Sequence, residues 1–395
     1  MKIVVTGASG YVGRHLVPLL ADRGADLLLA GRDPDKLGEM FPGQAVCGYS
    51  ELAEAAQGYT MLLHLAVLNT GSDASLEAFI KVNVEQMMEM AALAQSAGIE
   101  TFVNASSIHA LDPSNKAPYA ISKKMAAKKL ASFDGLNTVN LYLPYVYDPD
   151  FKTRFRFAAK LPKPLGRLAF QAATCLKSSV NVSRIADFMI SLSGQGPTDL
   201  PQPLILSEGQ SGNPVFQITK RTIDLGFAIC ILVLLWWLLI AIFVLIRLDS
   251  KGPGLFLQER VGKDGKVFSC YKFRTMKTGT AHVGTHEVST SAITRQGQWL
   301  RKSKLDELPQ IINIFRNEMS LVGPRPCLPS QSELIAERDQ RGVLAVKPGI
   351  TGLAQVNGVD MRFPAKLAQW DARYLALQSL LLDLRILLAT AFRRG

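Results

Sequence analysis

Apolar positions follow two different patterns along this chain. Through the first half they come as short runs, KIVVT at the start and then Asp26 to Ala30, Met61 to Ala66 and Thr101 to Ala105. Helical segments fall between the runs, at Arg14 to Arg23 and Leu76 to Ala97. That alternation predicts an α/β fold, a doubly wound parallel sheet with helices on both faces. Further on the pattern changes. Leu225 to Ile246, LGFAICILVLLWWLLIAIFVLI, runs 22 residues without a charge. As a helix it measures about 33 Å at 1.5 Å per residue, enough to cover the ~30 Å hydrocarbon core of a bilayer. A buried core helix seldom runs so long with no polar face, so the run predicts a membrane segment over 223–246. It starts too late for a signal peptide, and nothing at Met1 resembles one.

The segment splits the 395 residues into two stretches, each long enough to bury its own core. Gly194 to Pro214, with four prolines and four glycines, reads as the linker, which puts the domains at 1–212 and 213–395. Charge separates them too. Residues 1–214 balance 19 basic against 19 acidic side chains, whereas 215–395 hold 25 against 14, so the net +11 lies wholly in the second half. Beside so long an apolar run, that excess points to anionic lipid and phosphorylated substrates and away from nucleic acid. Basic residues flank the run on both sides (Lys220 and Arg221; Arg247, Lys251 and Arg260), so charge selects no orientation for a simple span. Both ends are expected on the cytoplasmic side. The five cysteines are scattered, with no CxxC, and suggest neither a disulfide framework nor a zinc site.

Candidate chemistry begins at the first turn. In TGASGYVG, Gly7 would make the tight turn, Gly10 would admit a pyrophosphate, and Gly13 would let strand and helix pack closely. The anion would sit at the helix N-terminus beside Tyr11. After the second strand, Arg32 could take a ribose 2′-phosphate, favouring NADP(H), while neighbouring Asp33 keeps NAD(H) open. Ser107 is followed by Tyr119-Ala-Ile-Ser-Lys123. Positions four apart share a helix face, so the Lys123 ammonium is expected near the Tyr119 phenol, lowering its pKa. Tyr119 is then a general acid or base, with Ser107 bonding the same substrate oxygen. Between Phe151 and Lys177 lie seven basic residues and no acid, suited to a diphosphate, anionic lipid or plain solvation.

TGASGYVG, His64-Leu-Ala66, the Ser106-Ser107 pair and YxxxK together resemble the extended short-chain dehydrogenase/reductases of the NAD-dependent epimerase/dehydratase type, over about residues 1–210. The resemblance implies hydride transfer on a nucleotide sugar, with Ser107, Tyr119 and Lys123 as the triad. The larger C-terminal lobe that such enzymes carry over the substrate is missing, since this domain ends near Ser211.

In the second half the acidic pair Asp306-Glu307 follows Arg301, Lys302 and Lys304. Pro309 suits a helix start, and Leu308, Ile311, Ile312 and Phe315 form an apolar stripe, which would set both carboxylates at a helix N-terminus. An acidic pair among cations beside lipid suggests metal-assisted phosphoryl transfer, one carboxylate attacking and the other binding a hard ion such as Mg²⁺. His282 and His286 are four apart, but with no third ligand they read as a surface loop. An apolar run ending in LDS, then GPGLFLQERVG, YKFRTM, LDELPQ, SLVGPRP and KPGITGLAQVNG, resembles the small monotopic polyprenyl-phosphate phosphoglycosyl transferases, over residues 216–395. That resemblance implies transfer of a sugar 1-phosphate from a UDP-sugar to undecaprenyl phosphate, releasing UMP, at the cytoplasmic face of the bacterial inner membrane. Asp306 matches the nucleophile, Glu307 the Mg²⁺-associated partner, and Lys272, Arg301 and Arg325 the cations near the site. It also implies a re-entrant membrane helix, although the family's helix-breaking Ser-Pro is replaced by Trp236-Trp237, where a bend is expected. The leucine-rich C-terminal stretch would lie at the membrane interface or in the core. The full expectation is a fused nucleotide-sugar reductase and lipid-linked transferase; a 4-epimerase or a cofactor-sensing first domain is the alternative, and a homodimer is left open.

Overall fold

β1 (Lys2–Thr6) runs through the centre of the first unit, and its Ile3, Val4 and Val5 have no exposure at all. A strand buried on both faces needs a continuous apolar run, as KIVVT supplies. The computed structural model describes residues 1–69, 71–148, 155–195, 200–277 and 293–392. They fall into two compact units, Met1–Phe170 with Ser178–Glu208, and Gln171–Lys177 with Gly209–Gly395.

In the first unit β1 leads to α1 (Tyr11–Asp22), β2 (Asp26–Gly31), α2 (Pro34–Met40), β3 (Ala45–Gly48), β4 (Met61–His64), β5 (Thr101–Ser107), α3 (Pro118–Ala131) and β6 (Asn137–Leu143). Then come β7 (Tyr145–Tyr147), α4 (Lys163–Leu176), β8 (Ser179–Asn181), α5 (Val182–Gln195) and β9 (Leu204–Ile205). The main sheet has the order β3-β2-β1-β4-β5-β6-β9 with every pair parallel. Ile3 and Val5 pack with Leu16, Leu20, Ile185 and Met189 on one face, and Val4 with Met87, Met90 and Ala94 on the other. Strand order reverses between β1 and β4, which opens a crevice at their C-terminal ends. The stretch read as linker contains β9, whose Leu204 pairs with Leu141 of β6.

The second unit is built on α6 (Pro214–Asp249), followed by the antiparallel hairpin β10 (Leu255–Val261) and β11 (Val267–Phe273) and by α7 (Arg295–Ser303). After these come α8 (Ile311–Phe315), β12 (Ser320–Val322) paired in parallel with β13 (Gly349–Thr351), α9 (Pro364–Leu377) and α10 (Leu380–Phe392). Asn213 caps α6, its Oδ1 accepting from the Phe216 amide at 3.2 Å, and Pro214 occupies the first turn. At the other end the Arg274 guanidinium bonds the carbonyls of Ile246 and Ser250.

The bend expected at Trp236-Trp237 is absent: α6 is one uninterrupted helix of 36 residues, about 54 Å long. The sequence supplies no break after Gly226 because no proline or glycine follows it in the helix. Trp237 Nε1 donates to the Leu234 carbonyl at 3.0 Å without interrupting the helix. Both ends of the apolar run nevertheless touch the same unit. Asp224, 3% exposed, accepts from Ser320 Oγ and the Leu321 amide, while Lys220 pairs with Asp383 and Arg221 donates to the Ile314 carbonyl. At the far end Ile242 and Ile246 are buried with Phe273 and Leu300. The remaining surface is bare hydrocarbon: the most apolar 18-residue window has mean hydropathy 3.3 and only 11% burial.

The Arg338 guanidinium donates through Nε and Nη2 to Asp371 Oδ2 at 3.0 and 2.7 Å, both side chains almost fully buried. Removing one partner strands the other charge. Asp371→Ala should cost about 3–5 kcal/mol in chemical denaturation, and Arg338→Met with Asp371→Leu should recover most of it.

Candidate active sites

In the first unit the turn after β1 closes with a 3.0 Å bond from the Gly10 amide to the Gly7 carbonyl. Gly7 has φ +73°, and a Cβ there would lie 2.4 Å from the Ala66 nitrogen; at Gly13 it would lie 2.4 Å from the Ala8 carbonyl. Only glycine lets β4 and α1 come so close to the turn. The crevice thus ends on bare backbone at the N-terminus of α1, where amide groups are open to an anion. Tyr11 donates to Asp148 Oδ1 at 2.8 Å. Arg32 is exposed just beyond β2, whereas Asp33 is occupied as the cap of α2, accepting from the Lys36 amide.

Ser107 at the end of β5 and Tyr119 on α3 lie close enough to interact, and Ser107 Oγ accepts from the His109 amide at 3.3 Å. The expected effect of Lys123 on the phenol is not found. Burial pushes the Tyr119 pKa up, with Ser107 opposing it, while the Lys123 ammonium donates to the Ala105 carbonyl at 3.1 Å. Burial draws Lys123 down to about 8. His64, buried beneath it, is pushed down to about 3 by desolvation and then by Lys123, so it is neutral. Its Nδ1 bonds Thr6 Oγ1 at 2.8 Å, and its Nε2 has no partner among the described residues. In the sequence His64 stands out only as part of a motif, since a lone histidine at a strand end has no periodic signature.

In the second unit Asp306 and Glu307 lie in a 3₁₀ turn, Leu305–Gln310, that runs directly into α8. Pro309 sits inside this turn and does not begin a helix, and the buried stripe is Ile311 with Ile314, while Phe315 is 39% exposed. The difference arises because α8 docks through Asn313, fully buried, which accepts from the Tyr271 amide and donates to the Ser269 carbonyl and Glu318. A single buried asparagine leaves no trace in a hydrophobic pattern.

Around the pair three elements converge. Lys272 of β11 and Arg325, beyond β12, both donate to Glu307 Oε1, at 2.8 and 3.2 Å. Arg301 of α7 is held by Thr275 Oγ1 at 2.9 Å. Arg325 is placed by backbone packing, since a Cβ on Gly349 would lie 2.1 Å from the Gly323 nitrogen. Arg260, a flank residue in the sequence reading, bonds the Pro326 carbonyl and steadies the same loop.

The two carboxylates are driven apart electrostatically. Burial alone would raise Glu307, but Arg325 and Lys272 together hold it at about 2. Burial, and then the Glu307 charge, push Asp306 up to about 6 against the pull of Lys272 and Arg301. The first is a fixed anion and the second a carboxylate near its titration point, the separation that assigns different roles to neighbouring acids. Among the described residues no three His, Cys, Asp or Glu side chains form a metal cluster. Two mutually repelling carboxylates do fit Mg²⁺, which takes one or two carboxylates and fills its shell with phosphate and water. His282 and His286 lie outside the described residues.

The first unit is a doubly wound parallel sheet with a glycine turn at its crevice, and the second joins a long apolar helix to a cation-ringed acidic pair. The chain belongs to the bacterial sugar transferase family through residues 215–394, and its residues 3–163 match the NAD dependent epimerase/dehydratase family. The uncharacterized sugar transferase EpsL of Bacillus subtilis is 39% identical over 173 residues, covering 44% of this chain and 85% of that protein. The UDP-glucose:undecaprenyl-phosphate glucose-1-phosphate transferase of Xanthomonas campestris is 38% identical over 230 residues, 54% of this chain and 47% of that one. The chain thus spans about half the length of that relative. Among solved structures, the UDP-N-acetylglucosamine 4-epimerase of Bacillus cereus aligns with 53% of this chain and 76% of its own, at 17% identity and TM-score 0.39.

Proposed function

We propose that the second unit moves a sugar 1-phosphate from a UDP-sugar to undecaprenyl phosphate, and that the first prepares the sugar by reducing a UDP-linked 4-keto, N-acetylated deoxy sugar. The observation that carries the transferase reading is the Asp306–Glu307 pair, one acid near 6 and the other near 2, inside a ring of cations. An Asp306 oxygen attacks the sugar-bearing phosphorus, the bond to the UMP oxygen breaks, and UMP leaves with the electron pair. An oxygen of undecaprenyl phosphate then attacks the same phosphorus and the aspartyl bond breaks, restoring the carboxylate. Arg301 and Arg325 hold phosphate oxygens, and Lys272 offers a point charge to the same oxygens while it fixes Glu307. Mg²⁺ held by Asp306 and Glu307 would neutralise charge on the diphosphate. Lys272→Met should lower UMP release about a hundredfold, comparable to losing one charge-stabilising donor; unchanged release would remove Lys272 from the site.

In the first unit the nicotinamide supplies reducing equivalents when bound. Tyr119, which burial keeps protonated, gives its proton to the 4-keto oxygen while Ser107 bonds that oxygen. The Gly7–Gly13 cradle holds the pyrophosphate, and exposed Arg32 beside an engaged Asp33 supports NADP(H). Both ends of α6 stay with one unit, which supports a monotopic enzyme on the cytoplasmic face of the inner membrane, embedded from one side and not spanning. On α10, Leu381, Leu384, Leu388 and Phe392 form an exposed apolar row suited to the interface. Supplying purified protein with NADPH, Mg²⁺, the UDP-4-keto sugar and undecaprenyl phosphate should yield UMP and a lipid-linked reduced sugar; absence of the lipid product would reject the coupled reading.

A further inference from the structure

Leu161, Leu165, Leu168 and Leu176 are 42, 53, 52 and 48% exposed, and with exposed Ala172 they recur at intervals of four, three, four and four. That spacing puts Leu165, Leu168, Ala172 and Leu176 on one side of α4, with Leu161 in the turn before it. Thr174, opposite this row, and Gly166, beside it, are buried. A surface helix normally turns its apolar row inward, and this one turns a second row outward. The same stretch bears Lys160, Lys163, Arg167 and Lys177, all exposed, and no acid.

The end of this helix is fixed to the beginning of α6. Within the second unit the Asn213 side-chain amide donates to the Gln171 carbonyl at 3.0 Å and to Thr174 Oγ1 at 3.3 Å. The Gln210 amide donates to the Thr174 carbonyl at 2.8 Å. Asn213 is the cap residue of α6, and the exposed apolar face of α6 starts five residues later at Ile218. Within that unit the last turn of α4, with exposed Leu176, is thus bonded to the residues that open the apolar helix.

We propose that α4 is a second membrane contact, laid on an anionic lipid surface with Leu161, Leu165, Leu168 and Leu176 in the headgroup region. Hydrocarbon contact gives it depth, and the four cations add attraction to anionic headgroups. The inference rests on the membrane reading of α6 but assigns lipid contact to a helix that begins in the cofactor-binding half. Its consequence is mechanical: the cofactor-binding half is tied to the bilayer directly, not only through the chain that follows it.

The test uses the full chain reconstituted in vesicles whose acyl chains carry bromine, which quenches a fluorophore in contact with lipid. Cys230, exposed on α6, is labelled in the wild type as the membrane reference. In a Cys230→Ser background, Leu168→Cys reports on the row of α4, and Lys129→Cys, exposed on α3, is the aqueous control. With phosphatidylglycerol present, the Leu168→Cys label should be quenched several-fold more than the control. Lys163→Glu with Arg167→Glu should weaken that quenching, as should raising salt from about 0.1 to 1 M, which cuts screening length from about 10 to 3 Å. If the Cys230 label is quenched while Leu168→Cys matches the control, the α4 proposal fails and the membrane reading of α6 stands. If neither is quenched, both fail. A Leu168→Cys label shielded from aqueous iodide yet untouched by bromine would place protein on the row, a second copy or another chain, and would also overturn the proposal.

Discussion

Asp306→Asn should abolish UMP release, by on the order of 10⁴-fold or more, as removal of a nucleophile does, and should at the same time make the protein more stable near neutral pH. The second effect follows from the raised pKa. Asp306 has its ordinary value of 3.8 when unfolded and about 6 in the fold, so the native state holds the proton more tightly. Its cost to stability is absent below about pH 4, grows between 4 and 6, and is complete above 6. Replacing it with a neutral isostere removes a cost of about 1–3 kcal/mol at pH 7.5, the range reflecting partial solvent screening. The gain in denaturation midpoint should therefore shrink as pH falls to 4. In the wild type the acid limb of kcat/KM for the free enzyme should lie near pH 6. Loss of stability in Asp306→Asn at pH 7.5 would mean that the carboxylate is structural.

Tyr119→Phe should lower ketone reduction about 10³-fold, within the usual range for a positioned proton donor, and leave UMP release from the reduced UDP-sugar unchanged. The ring is half-buried and keeps its contacts with Phe79 and His109, so the substitution removes a proton without opening a cavity. Lys123 adds a pH signature: near 8 it loses its charge, so reduction should decline on the alkaline side. The measurement is NADPH absorbance with the UDP-4-keto sugar. Undiminished reduction would exclude Tyr119 as the acid, and cofactor binding without reduction in the wild type would make the first unit a sensing module.

The central strands were legible because each is buried on both faces and so had to be apolar throughout. β6 was not read, although Val139, Leu141 and Leu143 alternate inward, because only one of its faces is fully covered. β9 has two residues and exists only through its pairing with β6. Motif glycines and the acidic pair were visible, because bare backbone and adjacent like charges are unusual enough to count. The electrostatics were not. Lys123 shares a helix face with Tyr119, yet its flexible stem carries the ammonium to Ala105. Likewise Asp224, Asn313 and Arg274, which fix α6 and α8 to the hairpin and strands, are isolated polar residues, and all their partners but Glu318 lie 23 to 97 positions away. The bend in the membrane helix was inferred from topology, and attachment of both ends to one unit satisfies that demand without it.

The central claim is a covalent phosphosugar on Asp306, formed before the lipid is engaged. Incubating the full chain with Mg²⁺ and its UDP-sugar, without any polyprenyl phosphate, and recording intact mass tests it. One equivalent of UMP should appear with a mass gain of one sugar phosphate, lost on adding undecaprenyl phosphate and absent from Asp306→Asn. UMP that appears only when the lipid phosphate is present, with no change in protein mass, would contradict it.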